Sequence, residues 1–592
     1  MLNKIHRNLI TFLLLCIITI PAIVALLNNQ HFLTHDDQHI ARLYLLVQAL
    51  LQGNLYPRWV DILGFGFGYP LFNFYPPLIY YLGALFHGLG ASYIWSIKLV
   101  FILGFIVGAY GVYQLTKRLT CKIAGLLAAT LYTYFFYHAV LIYVRGALAE
   151  FIAMAILPFV FLNLDRLYRD KTWKNTALFG ISLTFLILCH PLIAFPTFIY
   201  IVIALIFYAS QSVKCSQTNK INQLVNFLIK AIIGILIGLA ISSFFWLPSL
   251  VERNHTMTDL ILTNELASYK IHYINPQQFI YSPWGFGGSA EGLNDGMTFQ
   301  LGKIHLYLLF SAVVLSLIYL FKKRKKDQHF SHFYFILFMF IFSIFMTLGY
   351  SSIIWDNIKY LWYMQFPWRF LTFVGVFISI IGGYCIFFLQ GILDQYEGIS
   401  PSIKKNLAPI IVLIFILSTV LIYQKYFHPD KYVPLTDRQK TSFNEIAWNV
   451  SRTSYEFVPK GVKKTKTALN TTIPDIRKND IPKSVYEIID GKASSYIKLN
   501  LFTEKILLIN AETDSTVRIN TYYFPGWNAY LNNRKIRIYD NNDYKLITVK
   551  VPKGQHQLKV KFENTPVRTI GEFISLIGLI VFLYLLGKKS LN

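Results

Sequence analysis

Acidic residues are scarce: the 592-residue chain holds 30 Asp and Glu against 55 Lys and Arg. Only 14% of it is charged and 55% is hydrophobic. That balance excludes an ordinary soluble globular protein, and several apolar runs are long enough to cross a bilayer. Cysteine is scarce too. Cys16, Cys121, Cys189, Cys215 and Cys385 fall in apolar runs or in loops assigned to the inner side, so no disulfide framework is implied. No small-x-small cleavage site follows the first apolar run, "MLNKIHRNLITFLLLCIITIPAIVALL", and the run is longer than a signal-peptide core, so it reads as an uncleaved span. No Lys-Ser or Lys-Thr follows the glycines of "LGFGFGYP", which excludes a phosphate loop. No repeat or low-complexity linker interrupts the chain. The net charge of +25 lies in cationic clusters between apolar runs, where it sets topology, so no nucleic-acid partner is expected.

What is present reads as a polytopic α-helical membrane protein with about 12 transmembrane helices, near 8–28, 93–115, 123–141, 148–165, 175–190, 192–209, 231–249, 304–321, 331–349, 368–390, 408–424 and 569–587. Lys4 and Arg7 put the N-terminus inside. Alternation then brings every basic cluster inside: Lys117/Arg118/Lys122, Arg166/Arg169/Lys171/Lys174, Lys214/Lys220/Lys230, the run 322–326, Lys404/Lys405 and Lys588/Lys589. The outer side collects loops 29–92 and 250–303, the segment 350–367 and a polar region, 425–567. That region alternates apolar and polar residues in short runs such as "EKILLINAE" and "HQLKVKF", separated by turns such as Pro525-Gly526, as in an antiparallel β-sandwich. The expected organisation is a transmembrane domain, 1–424, an extracytoplasmic β-sandwich, 425–567, and a final span with an inner tail, 568–592.

Chemistry-bearing residues crowd the outer side. In "HDDQHIARLYLLVQALLQGN", apolar residues recur at helical spacing after Asp36 and Asp37. These carboxylates either cap the helix or act on a substrate. With His35 and His39 they also form H-D-x-x-H, although the zinc-protease motif carries Glu and needs a third ligand. "LGFGFGYPLFNFYPPLIYYLGALF" (63–86) suits an interfacial re-entrant segment or an aromatic surface for sugars or an isoprenoid tail. "YVRGALAEF" places Arg145 and Glu150 at a span end, where Arg145 either snorkels or grips a phosphate. "MQFPWRF" does the same for Gln365 and Arg369, and His190 ends another span. Loop 250–303 is Gly-rich and either covers a substrate or is merely mobile.

The stretches "HDDQHIARL", "NLYPRW", "FGYPLFNFYPPLIYYL", "RGALAEF" and "QFPWRF" resemble the GT-C superfamily of integral-membrane glycosyltransferases. More closely, the chain resembles bacterial membrane proteins labelled 6-pyruvoyl-tetrahydropterin-synthase-related. The C-terminal "YYFPGWNAYLNN" and "VPKGQHQLKVKFENTPVRTIGEFISLIGLI" are similar to the YfhO-like group. The resemblance implies an enzyme of the bacterial inner membrane with its active site facing outward. It implies a polyprenyl-phosphate sugar donor, an envelope glycan or lipid acceptor, and an acidic general base, Asp36 or Asp37, acting with inversion. Arg145, Arg369 and Arg58 would hold the donor phosphate, supported by His35, His39, Glu150, His190 and Gln365. Asp36, Asp37 and His39 could instead hold a divalent cation such as Mg or Mn; no other cofactor is implied. The alternative is a transporter of lipid-linked saccharides. A transporter would carry ionisable residues deep in several spans, whereas here they gather at span ends. Tyr522-Tyr523-Phe524, Trp527 and Tyr530 in the β-region either stack on sugar or fill its core.

Overall fold

The computed structural model describes residues 2–213, 218–262, 267–323, 328–396, 400–468 and 470–588. Cys215, Lys214, residues 324–326 of the basic run and Lys589 lie outside them.

Ten helices among the described residues are long and apolar enough to cross a membrane, from Asn8–Leu27 to Pro566–Gly587. The pair Lys122–Thr133 and Phe136–Val144, bent by 42°, makes an eleventh if it is one span. The remaining member of the expected twelve, Trp173–Cys189, is a shorter apolar helix. The span expected at 231–249 lies earlier, at Ile221–Ile241, and Ser243–Glu252 is a separate helix.

Local signals explain the helix ends. The Ser92 hydroxyl accepts the Trp95 N–H at 3.2 Å and starts helix Tyr93–Leu119, whose last turn carries Lys117 and Arg118 facing the negative end of the helix dipole. This helix packs closely on Leu148–Asp170 and Lys122–Thr133 because Gly104 lies under Phe151 and Gly108 under Tyr132. A Cβ at Gly108 would sit 2.6 Å from the Tyr132 hydroxyl. Span Pro367–Leu393 is enclosed on nearly every side and forms the centre of the bundle.

The C-terminal strands form two antiparallel sheets. One is five-stranded, ordered β10 (Arg534–Ile536), β9 (Trp527–Leu531), β12 (Gly554–Phe562), β7 (Glu504–Ala511), β6 (Ala493–Asn500). The other is ordered β11 (Leu546–Val551), β8 (Ser515–Tyr522), β5 (Tyr486–Asp490). Alternate residues Leu507 and Ile509 of β7, Val517 and Ile519 of β8, and Leu558 and Val560 of β12 are buried, the period-2 pattern of strands with one face on a core. Tyr522, Phe524 and Trp527 are buried with them, so these aromatics fill the core and present no stacking surface.

Residues 432–485 precede this pair of sheets and form no part of them. β2 (Tyr432–Val433) pairs antiparallel with β1 (His31–Phe32), and a two-stranded hairpin joins β3 (Lys464–Lys466) to β4 (Thr472–Pro474). Between them the chain lies along the first loop. The Gly-rich segment 63–69 is likewise enclosed: Phe65, Phe67 and Tyr69 are buried, and the Tyr522 N–H donates to the Phe67 carbonyl at 2.8 Å. It joins the helices to the sheets and offers no exposed aromatic surface.

Candidate functional site

The first loop meets the end of the bundle at Asp36. The His35 N–H donates to the Val144 carbonyl at 3.1 Å and the Asp36 N–H to the Arg145 carbonyl at 2.8 Å. The receiving backbone is irregular. Val140–Val144 forms a π-helical turn, and Gly146 follows with φ +68°. A Cβ there would stand 2.2 Å from the Thr34 hydroxyl, so only glycine admits this approach.

The two adjacent acids have different surroundings. Asp37 accepts from Lys440 Nζ at 2.9 Å, and its other oxygen is 2.9 Å from His31 Nε2. Burial raises the Asp37 carboxyl, but the His31 hydrogen bond and the His31 and Lys440 charges outweigh that and hold it below the usual carboxylate range. Lys440 also donates to Glu445 at 2.8 Å, so Asp37 ties the first loop to segment 437–445. Asp36 makes no such tie. Among the described residues its carboxylate has no hydrogen-bond or ion-pair partner, and it lines a cavity of about 40 Å³ with Thr34, His39 and Phe101. Its charge nevertheless acts on both Arg145 and Arg369.

Those two arginines share one acid. Glu150 is buried at 1% exposure, with its Oε2 2.7 Å from Arg145 Nη1 and 3.3 Å from Arg369 Nε. The Tyr137 hydroxyl donates to Glu150 Oε1. Arg145 Nη1 also reaches the Tyr137 hydroxyl at 3.4 Å, and its guanidinium stacks over Trp368 at 4.5 Å. Arg369 Nη1 donates to the Met364 carbonyl at 2.6 Å and to Gln365 Oε1 at 3.3 Å, but its buried Nε finds no aligned hydrogen-bond acceptor. Two guanidiniums against one carboxylate leave an excess positive charge beside an unpaired Asp36. His190 ends helix Trp173–Cys189 close enough to Glu150 to act on its charge. Arg145, Glu150, Gln365, Arg369 and His190 thus come together as their motifs suggested.

Segment 272–296 of the loop after helix Ser243–Glu252 closes over this group. The Phe286 carbonyl lies 3.0 Å from His35 Nε2, and Trp368 Nε1 donates to the Ser289 hydroxyl at 3.2 Å. Ser289 in turn meets His272 Nδ1 at 2.8 Å, and Asp295 accepts from Gln278 and the Ala290 N–H at 2.6 and 2.8 Å. The covering loop is therefore tied by its own side chains. Trp368 is buried under it, stacked on Phe366 at 4.7 Å, and does not face lipid.

Several expectations need correction. Neither Asp36 nor Asp37 caps the following helix, which begins after Gln38 without a side-chain cap. His35 precedes that helix and His39 opens it, so H-D-x-x-H does not place two imidazoles on one helical face. His39 is buried with both ring nitrogens engaged. The Gly146 carbonyl can only accept, so Nε2–H donates to it at 2.8 Å, and Nδ1 accepts from the Tyr80 hydroxyl at 2.9 Å. With His39 occupied in this way and Asp37 bound to Lys440, the set Asp36, Asp37 and His39 does not fit a divalent cation. Among the described residues no three His, Cys, Asp or Glu side chains gather as metal ligands.

Arg58 does not join the other arginines. It donates to the Phe244 carbonyl at 2.8 Å, to Asn73 Oδ1 at 3.2 Å and to Glu572 at 3.2 Å. Asn73 binds Glu252 at 2.8 Å, and Glu252 is held by the buried Arg568 at 3.0 Å. This network fastens the last span to helix Ser243–Glu252. Arg42 and Lys440 escaped the sequence reading. Arg42 is buried, donates to Gln38 and Ser454 at 2.7 Å each, and stacks on Tyr75 at 4.1 Å. A basic residue inside the apolar stripe of helix His39–Leu51 was the available signal; nothing local marked Lys440.

The model of the 6-pyruvoyl-tetrahydropterin synthase related domain, a membrane protein, matches residues 72–427, more than half of the 592. The chain belongs to this family. The matched part holds Arg145, Glu150, His190, Gln365 and Arg369, whereas Asp36 and the sheets lie outside it. No curated protein matches the sequence. Among solved structures the chain is similar to the arabinofuranosyltransferase AftD from Mycobacteria, at TM-score 0.45 and 11% identity over 73% of this chain and 28% of that one. It is also similar to the oligosaccharyltransferase of Archaeoglobus fulgidus in its apo form, at TM-score 0.41 and 13% identity over 72% of this chain and 56% of that one. The chain thus spans about a quarter of the first and just over half of the second.

Proposed function

We propose that the protein is a GT-C-like membrane glycosyltransferase that takes a sugar from a polyprenyl-phosphate donor to an envelope glycan or lipid on the outer face of a bacterial inner membrane. One observation carries this reading: an unpaired carboxylate, Asp36, is bonded through its own backbone to Arg145, which shares a buried acid with Arg369.

Each group has a task. Asp36 accepts the proton of an acceptor hydroxyl as its oxygen bonds to the anomeric carbon. The bond from that carbon to the phosphate oxygen breaks, and the electron pair leaves on the lipid phosphate. Arg145 and Arg369 stabilise the growing charge, which guanidinium geometry suits. One displacement inverts the anomeric centre. Glu150 holds both guanidiniums in place, Gln365 orients Arg369, and the tied loop 272–296 keeps water from the reacting carbon. Asp37 positions the loop and takes no proton. No step passes through a metal.

The test uses membranes containing the full chain and radiolabelled polyprenyl-phosphate hexoses and pentoses. Transfer of label to an endogenous glycan or lipid, with inverted configuration at the new linkage, is expected. Passage of intact labelled lipid across the bilayer without any transfer would replace the reading with a transporter.

A further inference from the structure

We infer that the cleft between the first loop and the sheets binds a saccharide chain bearing acidic substituents, about one helix length away from Asp36. The cleft has a volume of about 690 Å³, within the range of small-molecule sites. Its floor is an ion pair between the loop and β7: the buried Lys505 donates to Asp61 at 2.7 Å and to Asn500 Oδ1 at 3.3 Å. The Gln52 side chain adds a second tie by accepting the Phe502 N–H at 2.9 Å. The cleft is thus pre-formed, held open by contacts that lie beneath it.

The lining has the chemistry of sugar recognition. The exposed amide of Asn444 and the ammonium groups of Lys478 and Lys483 share the lining with the apolar faces of Phe443 and Pro482, over a base that includes the buried Asn520 and Thr521. A pyranose presents hydroxyls at its edge and C–H groups on its faces, and such a mixed wall matches it. Phe443 is 46% exposed, large and unburied at the rim, as a stacking residue must be. The charged lining residues are Lys478, Lys483 and Lys505 against Asp61, three positive and one negative, a surplus of two. That surplus selects a chain carrying carboxylate or phosphate groups.

Two elements lead from the cleft to Asp36. Gln52 follows helix His39–Leu51, whose other end adjoins Asp36; 13 residues at ~1.5 Å each make it roughly 20 Å long. Phe443 and Asn444 follow Lys440, which binds Asp37. On the glycosyltransferase reading, on which this role rests, the acceptor is an oligomer held at a distal acidic part while its end reaches Asp36.

The experiment measures binding of full-length protein in nanodiscs to an array of neutral, uronic-acid-bearing and phosphate-bearing oligosaccharides of graded length. Acidic chains longer than a disaccharide are expected to bind, with affinity about tenfold weaker for Lys483→Glu and for Phe443→Ala, a loss of about 1.4 kcal/mol. Both residues are on the surface, so the fold tolerates the changes. Asp36→Asn is expected to bind as the wild type does. Absence of acidic-chain binding by the wild type, equal binding of neutral chains, or full binding by both cleft variants would overturn the inference. Cleft binding in a protein that transfers no sugar would uphold the cleft and defeat the enzyme reading.

Discussion

The backbone N–H of Asp36 donates to the carbonyl of Arg145 across 2.8 Å, and this single bond joins an acid of the first loop to the basic end of the bundle. Gly146 makes the approach possible, with φ +68° and no side chain to meet Thr34. Gly146→Ala is expected to force the loop off this turn. Activity should fall to background, and the His35 and Asp36 amides, which donate to the Val144 and Arg145 carbonyls, should lose their protection from hydrogen exchange with the helices otherwise intact by circular dichroism.

Glu150 is the counter-ion of two buried guanidiniums, so its removal leaves both uncompensated. Breaking a buried pair costs about 3–5 kcal/mol. Glu150→Gln should lower the thermal midpoint of the purified protein, and Tyr137→Phe, which removes only one hydrogen bond to the same acid, should lower it less.

Arg145 and Arg369 differ from lysine in offering a planar fork of donors. Losing one charge-assisted hydrogen bond to phosphate costs about 1.5–3 kcal/mol, or tenfold and more. Arg369→Lys should therefore raise the donor concentration needed for half-maximal transfer by about tenfold. Arg58→Lys should leave it unchanged and instead reduce thermal stability, because Arg58 serves the Glu572 and Asn73 network.

His39 gives the loop a pH dependence. Burial, reinforced by the Arg42 charge, lowers its pKa to about 4 against an ordinary value near 6.5. Between these values the opened loop binds more protons than the closed one, so closure weakens as pH falls from about 6.5 towards about 4. Hydrogen exchange at residues 33–51, corrected for intrinsic rates, should show this slope. His39→Gln should flatten it. The Asp37 carboxyl, held low by His31 and Lys440 despite burial, contributes stability that is present above about pH 4 and is lost below that as it protonates.

Much of this architecture was legible in the sequence because bilayer-length apolar runs and period-2 strands are strong local signals. Glu150 and Arg369 could be suspected because a charge within an apolar run needs a reason. The span expected at 231–249 was misplaced because hydropathy does not see where a helix breaks, as at Ser242. The different surroundings of Asp36 and Asp37 were not legible. They depend on Lys440, some four hundred residues away, and no local pattern reports such a partner. Arg58 misled for the opposite reason: its motif is conspicuous, but its partners Phe244 and Glu572 come from distant helices.

The most direct test of the account is the single-turnover rate of sugar transfer from a polyprenyl-phosphate sugar by purified protein carrying Asp36→Asn or Asp37→Asn, compared at equal folded amounts. A loss of about a hundredfold or more is expected for Asp36→Asn, the size of a general-base contribution. A near-normal rate with lowered thermal stability is expected for Asp37→Asn. A near-normal rate in Asp36→Asn, with the loss appearing in folded Asp37→Asn, would contradict it.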